Sequence, residues 1–154
     1  MASQKSSILI SFYTIKSDFE EILLRVCKKI LNSDENFYIN FDCSESRIKA
    51  DKFLWTREKG GFIPHKNYGE KLSIRDKIVL FEGNYDKISI SENFSSLIIS
   101  PSVVIKKFQS FKKFLIFSYQ NEKQLSLKYK NNLEKKNFII NLYDEYKPFK
   151  WKQL

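Results

Sequence analysis

Glycine is scarce in this chain of 154 residues: four in all, beside three prolines, two cysteines and one histidine. None of the glycines lies between the first predicted strand and the first predicted helix, where the chain reads Thr14-Ile15-Lys16-Ser17. A Rossmann-type nucleotide site needs glycine at that turn so that backbone amides can approach a phosphate. No GxxxxGK[ST] run is present either, so phosphate-cradle chemistry is excluded and no cofactor is expected. Cys27 and Cys43 have neither the number nor the spacing of a disulfide framework or a zinc site. They read as reduced thiols, and no metal is expected. Long apolar runs are missing as well. Ile8 to Ile10 and Phe114 to Phe117 fall far short of a membrane span, and the first residues, MASQKSS, have no apolar segment of the secretory kind. These absences point to a cytoplasmic protein with no membrane association.

What the chain does have is charge and aromatics. The net charge is +9, the isoelectric point is about 9.4, and lysine supplies most of the positive charge. A basic surface concentrates acidic partners: nucleic acid, an anionic membrane or an acidic peptide. Composition biased towards Lys, Ile, Asn and Phe by AT-rich coding sequence accounts for part of the same signal. Lysine also lacks the bidentate fork that specific base and phosphate readers use.

Periodicity predicts an α/β domain. Ile8 to Thr14 is β-branched and aromatic and reads as a buried strand. Ser17 and Glu20 have the spacing of a capping box. Phe19, Ile22, Leu23, Val26 and Ile30 then recur at helical intervals, with Cys27 on or beside that face as packing. Phe37 to Phe41 is a second strand, and a helix capped near Asp42 or Ser44 runs to about Trp55. This β-α-β-α opening predicts a mostly parallel sheet with helices packed on it. Further strands are expected at Lys77 to Glu82, Leu97 to Ser100, Phe114 to Tyr119 and Phe138 to Tyr143. A short helix is expected from Pro101 to about Phe111 and a long one from Gln120 to Asn137. The chain reads as a single domain, 1–154, in which about 144–154 forms a polar tail. Its alternation of Lys with aromatics suits either a docking tail or a solvated end.

Two places carry candidate function. Leu54 to Glu70, LWTREKGGFIPHKNYGE, gathers the single histidine, one of two tryptophans and three of the four glycines. One histidine without a nucleophile motif is thin support for catalysis, even with Cys43 or a serine as nucleophile and Asp42 or Asp51 to orient the ring, so no catalytic residue is assigned. Trp55, Phe62, Pro64, His65 and Tyr68 instead form a compact amphipathic group of the types that carry interface energy, or a cover for the sheet edge. The predicted final helix is the second place. Leu125, Tyr129 and Leu133 fall on its core stripe, and Lys123, Leu127 and Lys130 lie on the far side. An apolar residue between two ammonium groups suits an acidic ligand with an apolar end, or is a solvated face with one stray leucine. The aromatics are not interleaved along one predicted sheet face, which weighs against a platform for stacking single-stranded nucleic acid, the alternative function.

The spacing Leu54-Trp55, Phe62-Ile63-Pro64-His65, Gly69-Glu70 resembles the chi subunit of bacterial DNA polymerase III. The preceding β-α-β-α order, Lys123-Gln124-Leu125 opening the last predicted helix, and Trp151-Lys152 near the end agree with it. The resemblance implies one Rossmann-like domain without nucleotide chemistry and without a catalytic site of its own. It implies an adapter, a monomer when free, that binds the acidic C-terminal tail of single-stranded DNA-binding protein and links it to the clamp loader. Contact with nucleic acid would be indirect. The tail site would use Lys123, Tyr129 and Lys130, with Ile116 and Ile140 lining an apolar pocket, and with Leu127 of the Lys-Leu-Lys stripe, or Lys128, standing where family members often carry Arg. A second site at Trp55, Phe62, Pro64 and His65 would dock the psi subunit, another clamp-loader component or a repair helicase.

Overall fold

Strand β1 (Ile8–Ile15) alternates Ile10 and Phe12 with Tyr13 and Ile15, and both sets are covered because the strand lies inside the sheet. In the computed structural model, residues 8–56, 63–91, 93–105, 107–119 and 138–154 are described. Helix α1 (Phe19–Leu31) follows, then β2 (Phe37–Phe41) and helix α2 (Ser44–Thr56). Next come β3 (Lys66–Asn67), β4 (Ile78–Glu82), β5 (Ser96–Ile99), β6 (Lys113–Tyr119), β7 (Phe138–Lys147) and β8 (Lys150–Gln153). The strands form one sheet in the order β3-β4-β2-β5-β6-β1-β7-β8. Every neighbouring pair is parallel except β7 with β8. This is the single, mostly parallel α/β domain that the pattern predicts.

Period-two alternation divides the core into two layers. On one face, Ile39, Phe41, Leu80, Leu115 and Phe117 meet Phe19, Ile22, Leu23, Cys27 and Ile30 of α1 and Ala50 and Leu54 of α2. On the other, Phe12, Tyr38, Val79, Leu97, Phe114 and Ile116 meet Tyr85, Phe94 and Phe111 from the connecting segments. Helix α1 buries six apolar side chains, each contributing about 1.5–3 kcal/mol by burial, and is held by its core face. Helix α2 buries only Ala50 and Leu54, so polar contacts have a larger share in fixing it.

Three expectations change. Asp18 is the N-cap of α1, with no side-chain cap bond. The Ser17 hydroxyl goes instead to Glu145 at 2.7 Å, and Glu20 pairs with Lys49 at 3.3 Å, so the capping box does not form. The stretch after Pro101 is turn and irregular chain over its described residues. Ser102 and Ser110 both have φ of 73°, a left-handed backbone that does not continue a helix. The stretch 144–154, expected as a polar tail, contains the end of β7 and all of β8, and Trp151 packs against the first core layer. The long helix expected over 120–137 lies outside the described residues.

Candidate functional site

Helix α2 sets the first site. Its buried stripe passes through Ala50 and Leu54, which turns Ile48, Lys52 and Trp55 outward at i, i+4 and i+7. Trp55 is 48% exposed at the last turn. The chain comes back to the helix end at Ile63, whose amide donates to the Leu54 carbonyl at 3.0 Å. Ile63 is buried and Pro64 exposed beside it.

His65 links these parts. Its side chain is fully buried. Nδ1 lies 2.6 Å from the Ile63 carbonyl, and Nε2 lies 2.6 Å from Asp51 Oδ1 on α2. The ring also packs against Trp55, with centroids 5.5 Å apart at 59°. Both nitrogens are engaged by the protein, so neither is presented to a substrate. The ring acts as a strut under the tryptophan.

A polar chain extends this support. Asn67 Nδ2 donates to Asp51 at 3.4 Å, Arg47 donates to Asn67 Oδ1 at 2.7 Å, and Arg47 Nε reaches Glu82 at 3.1 Å. The Asn67 amide donates to Glu70 Oε1 at 3.2 Å, and the Glu70 amide returns to the Asn67 carbonyl at 3.1 Å. Gly69, at φ of 97°, supplies the left-handed corner of this turn. Lys66 pairs with Asp76 at 3.2 Å. Burial pushes the Asp76 carboxyl up, but hydrogen bonds from Ser73 and Lys66 and the lysine charge outweigh it and hold it below the usual range. The turn from Lys66 to Asp76 is fixed from both sides and needs little ordering on binding, which is where interfaces lose affinity.

Of the residues expected here, Trp55, Pro64 and His65 come together, and Phe62 lies outside the described residues. Asp51, weighed in the sequence only as a catalytic orienter, turns out to be the strut's anchor. Ile48 was missed, although its spacing from Trp55 on the face away from Ala50 and Leu54 was readable.

The second site is divided. Lys123, Leu127, Tyr129 and Lys130 lie outside the described residues. Ile116 on β6 and Ile140 on β7 share one sheet face, on the two strands that flank β1. Ile116 pairs with Phe12 and Ile140 with Ile10. Ile116 is buried at 3% exposure, and Ile140 is partly buried against the same layer.

The opposite face corrects one expectation. Phe117, Tyr13 and Tyr143 do line up across three adjacent strands in direct register. The rings stack on one another, 4.9 Å apart at 14° and 13°. Tyr13 therefore has both faces occupied, whereas a base-stacking platform must offer ring faces. Burial and the neighbouring Tyr143 push its hydroxyl up to about 12, against a lowering bond from Ser11.

No metal-holding group of three or more His, Cys, Asp or Glu is present among the described residues, and none of their helices is long and apolar enough to cross a membrane. The model of the family described as DNA polymerase III chi subunit, HolC, matches residues 9–144. No curated protein matches the chain.

Proposed function

Because the chain belongs to the DNA polymerase III chi subunit family, and so to the accessory subunits of that replicative polymerase, we propose that it acts as an adapter without a catalytic site of its own. It binds the acidic C-terminal tail of single-stranded DNA-binding protein and ties that protein to the clamp-loader assembly. The observation that carries this reading is Trp55, half exposed and propped on His65, whose two ring nitrogens both lie against protein oxygens. A rigid aromatic knob without a free acid or base suits recognition of a protein. Trp55 and Phe62 dock the psi subunit, another clamp-loader component or a repair helicase, and Pro64 and His65 shape the loop that presents them.

The tail is held at a second place. Lys123, with Leu127, Tyr129 and Lys130, supplies charge and an apolar contact, and Ile116 and Ile140 line the apolar end. Two observations support this. The two isoleucines share a face. The net charge of +9 favours an acidic ligand. The free subunit is a cytoplasmic monomer and meets DNA through its partner.

A mobility-shift assay at physiological salt tests the reading against direct binding of single-stranded nucleic acid. The protein alone leaves a labelled oligonucleotide unshifted and adds a further shift once single-stranded DNA-binding protein coats it. A shift by the protein alone, weakening log-linearly with salt, would establish the direct-binding alternative instead.

A further inference from the structure

We propose that a groove between α1 and the C-terminal hairpin anchors one large apolar side chain of an extended acidic segment from another protein. The groove opens on the sheet face opposite to Ile116 and Ile140 and does not rest on the tail site proposed above.

Its origin is topological. Helix α1 joins β1 to β2 and covers that half of the face, while the sheet continues past β1 to β7 and β8. On that further part the hairpin folds Trp151 over Tyr13, at 5.1 Å and 77°, and near Phe117, at 6.5 Å. Between Trp151 and the Val26–Ile30 flank of α1 remains a cavity of about 260 Å³, floored by Tyr13, Leu115 and Phe117. Sites for drug-sized ligands run to roughly 300–1,000 Å³, so this volume suits one anchoring side chain.

The walls are fixed in advance. Glu145 of the hairpin accepts the Ser17 amide just ahead of α1 at 2.8 Å, and the Arg25 guanidinium lies 3.7 Å over the Phe149 ring. Both contacts pin the hairpin against the start and the outer side of α1.

The rim gives the occupant its charge. Lys29 is exposed and has no ion pair among the described residues. Lys113 holds both Glu35 oxygens at 3.2 Å in a partly exposed pair, of the weak kind that a ligand carboxylate can replace. Two ammonium groups against one carboxylate, on a chain of net charge +9, fit carboxylates beside the anchor. Nucleic acid fits less well, because both faces of Tyr13 are taken by its neighbours and no base can stack on that ring.

Trp55→Phe leaves Trp151 as the single tryptophan and a local reporter. The probe is the peptide Asp-Asp-Phe-Asp-Asp with both ends blocked, which lacks the terminal carboxylate of the tail proposed above. Titration gives a saturable change in Trp151 emission. Lys29→Glu weakens the binding about tenfold, as charge reversal beside carboxylates does, with an unchanged melting curve, and Lys123→Glu leaves it intact. An unresponsive Trp151, equal binding by Lys29→Glu, or loss of the response on Lys123→Glu would each overturn the proposal. So would a Trp151 response to oligothymidylate in place of the peptide.

Discussion

Glu145 on β7 takes both polar hydrogens of Ser17, the amide at 2.8 Å and the hydroxyl at 2.7 Å, across 128 residues of chain. It also accepts the Lys16 amide at 2.6 Å and the Phe149 amide at 2.8 Å, and it is only 2% exposed. The corner where a nucleotide-binding relative of this layout would cradle a phosphate is filled by the chain's own carboxylate. Burial alone pushes this carboxyl up. The four hydrogen bonds outweigh it and hold the group below the ordinary 4.5.

Glu145→Gln should therefore cost stability at neutral pH, about 1.5–3 kcal/mol for losing bonds to a charged group. A depressed folded-state value gives a contribution that is complete above the ordinary carboxylate range and is lost as pH falls through the depressed value. Urea titrations of parent and variant should differ clearly at pH 7 and converge as pH drops below 4.5. A gap that is constant with pH would mean that the carboxylate charge is not what holds the corner.

His65 and Trp55 should separate folding from binding. His65→Ala removes a fully buried partner of Asp51 and should lower unfolding stability by about 1–3 kcal/mol, the cost of an unsatisfied buried group. Trp55→Ala, half exposed, should change stability by less than about 0.5 kcal/mol while weakening partner binding by roughly 2 kcal/mol or more. Thermal melts with affinity measurements on both variants check the split.

The two thiols should react differently. Cys27 is fully buried in α1, and burial pushes its thiol strongly up, whereas Cys43 is exposed. A thiol reagent should modify one cysteine per native chain promptly and the second only in denaturant. Prompt modification of both would mean that α1 opens readily from the sheet.

Local pattern made the β-α-β-α opening legible, because each of those elements is set by its own periodicity. The capping box failed for a reason no local rule contains: Ser17 is claimed by a glutamate 128 residues away. The hairpin was legible in principle. In Lys150-Trp151-Lys152 the indole turns onto Tyr13 and the lysines turn to solvent, the period of a half-buried edge strand, with lysines guarding the edge. The aromatic ladder was not legible, since Tyr13, Phe117 and Tyr143 come from three strands and meet only through register. At the docking loop, Trp55 and His65 were marked by their rarity, while Arg47 and Asn67 were not, because surface-type residues become a buttress only once β3 lies beside α2.

Calorimetric titration with an acidic peptide that ends in phenylalanine tests the central claim most directly. The parent protein should bind it, and Lys123→Glu should lose most of that affinity while keeping the parent's melting temperature. Equal binding by parent and variant would contradict the account.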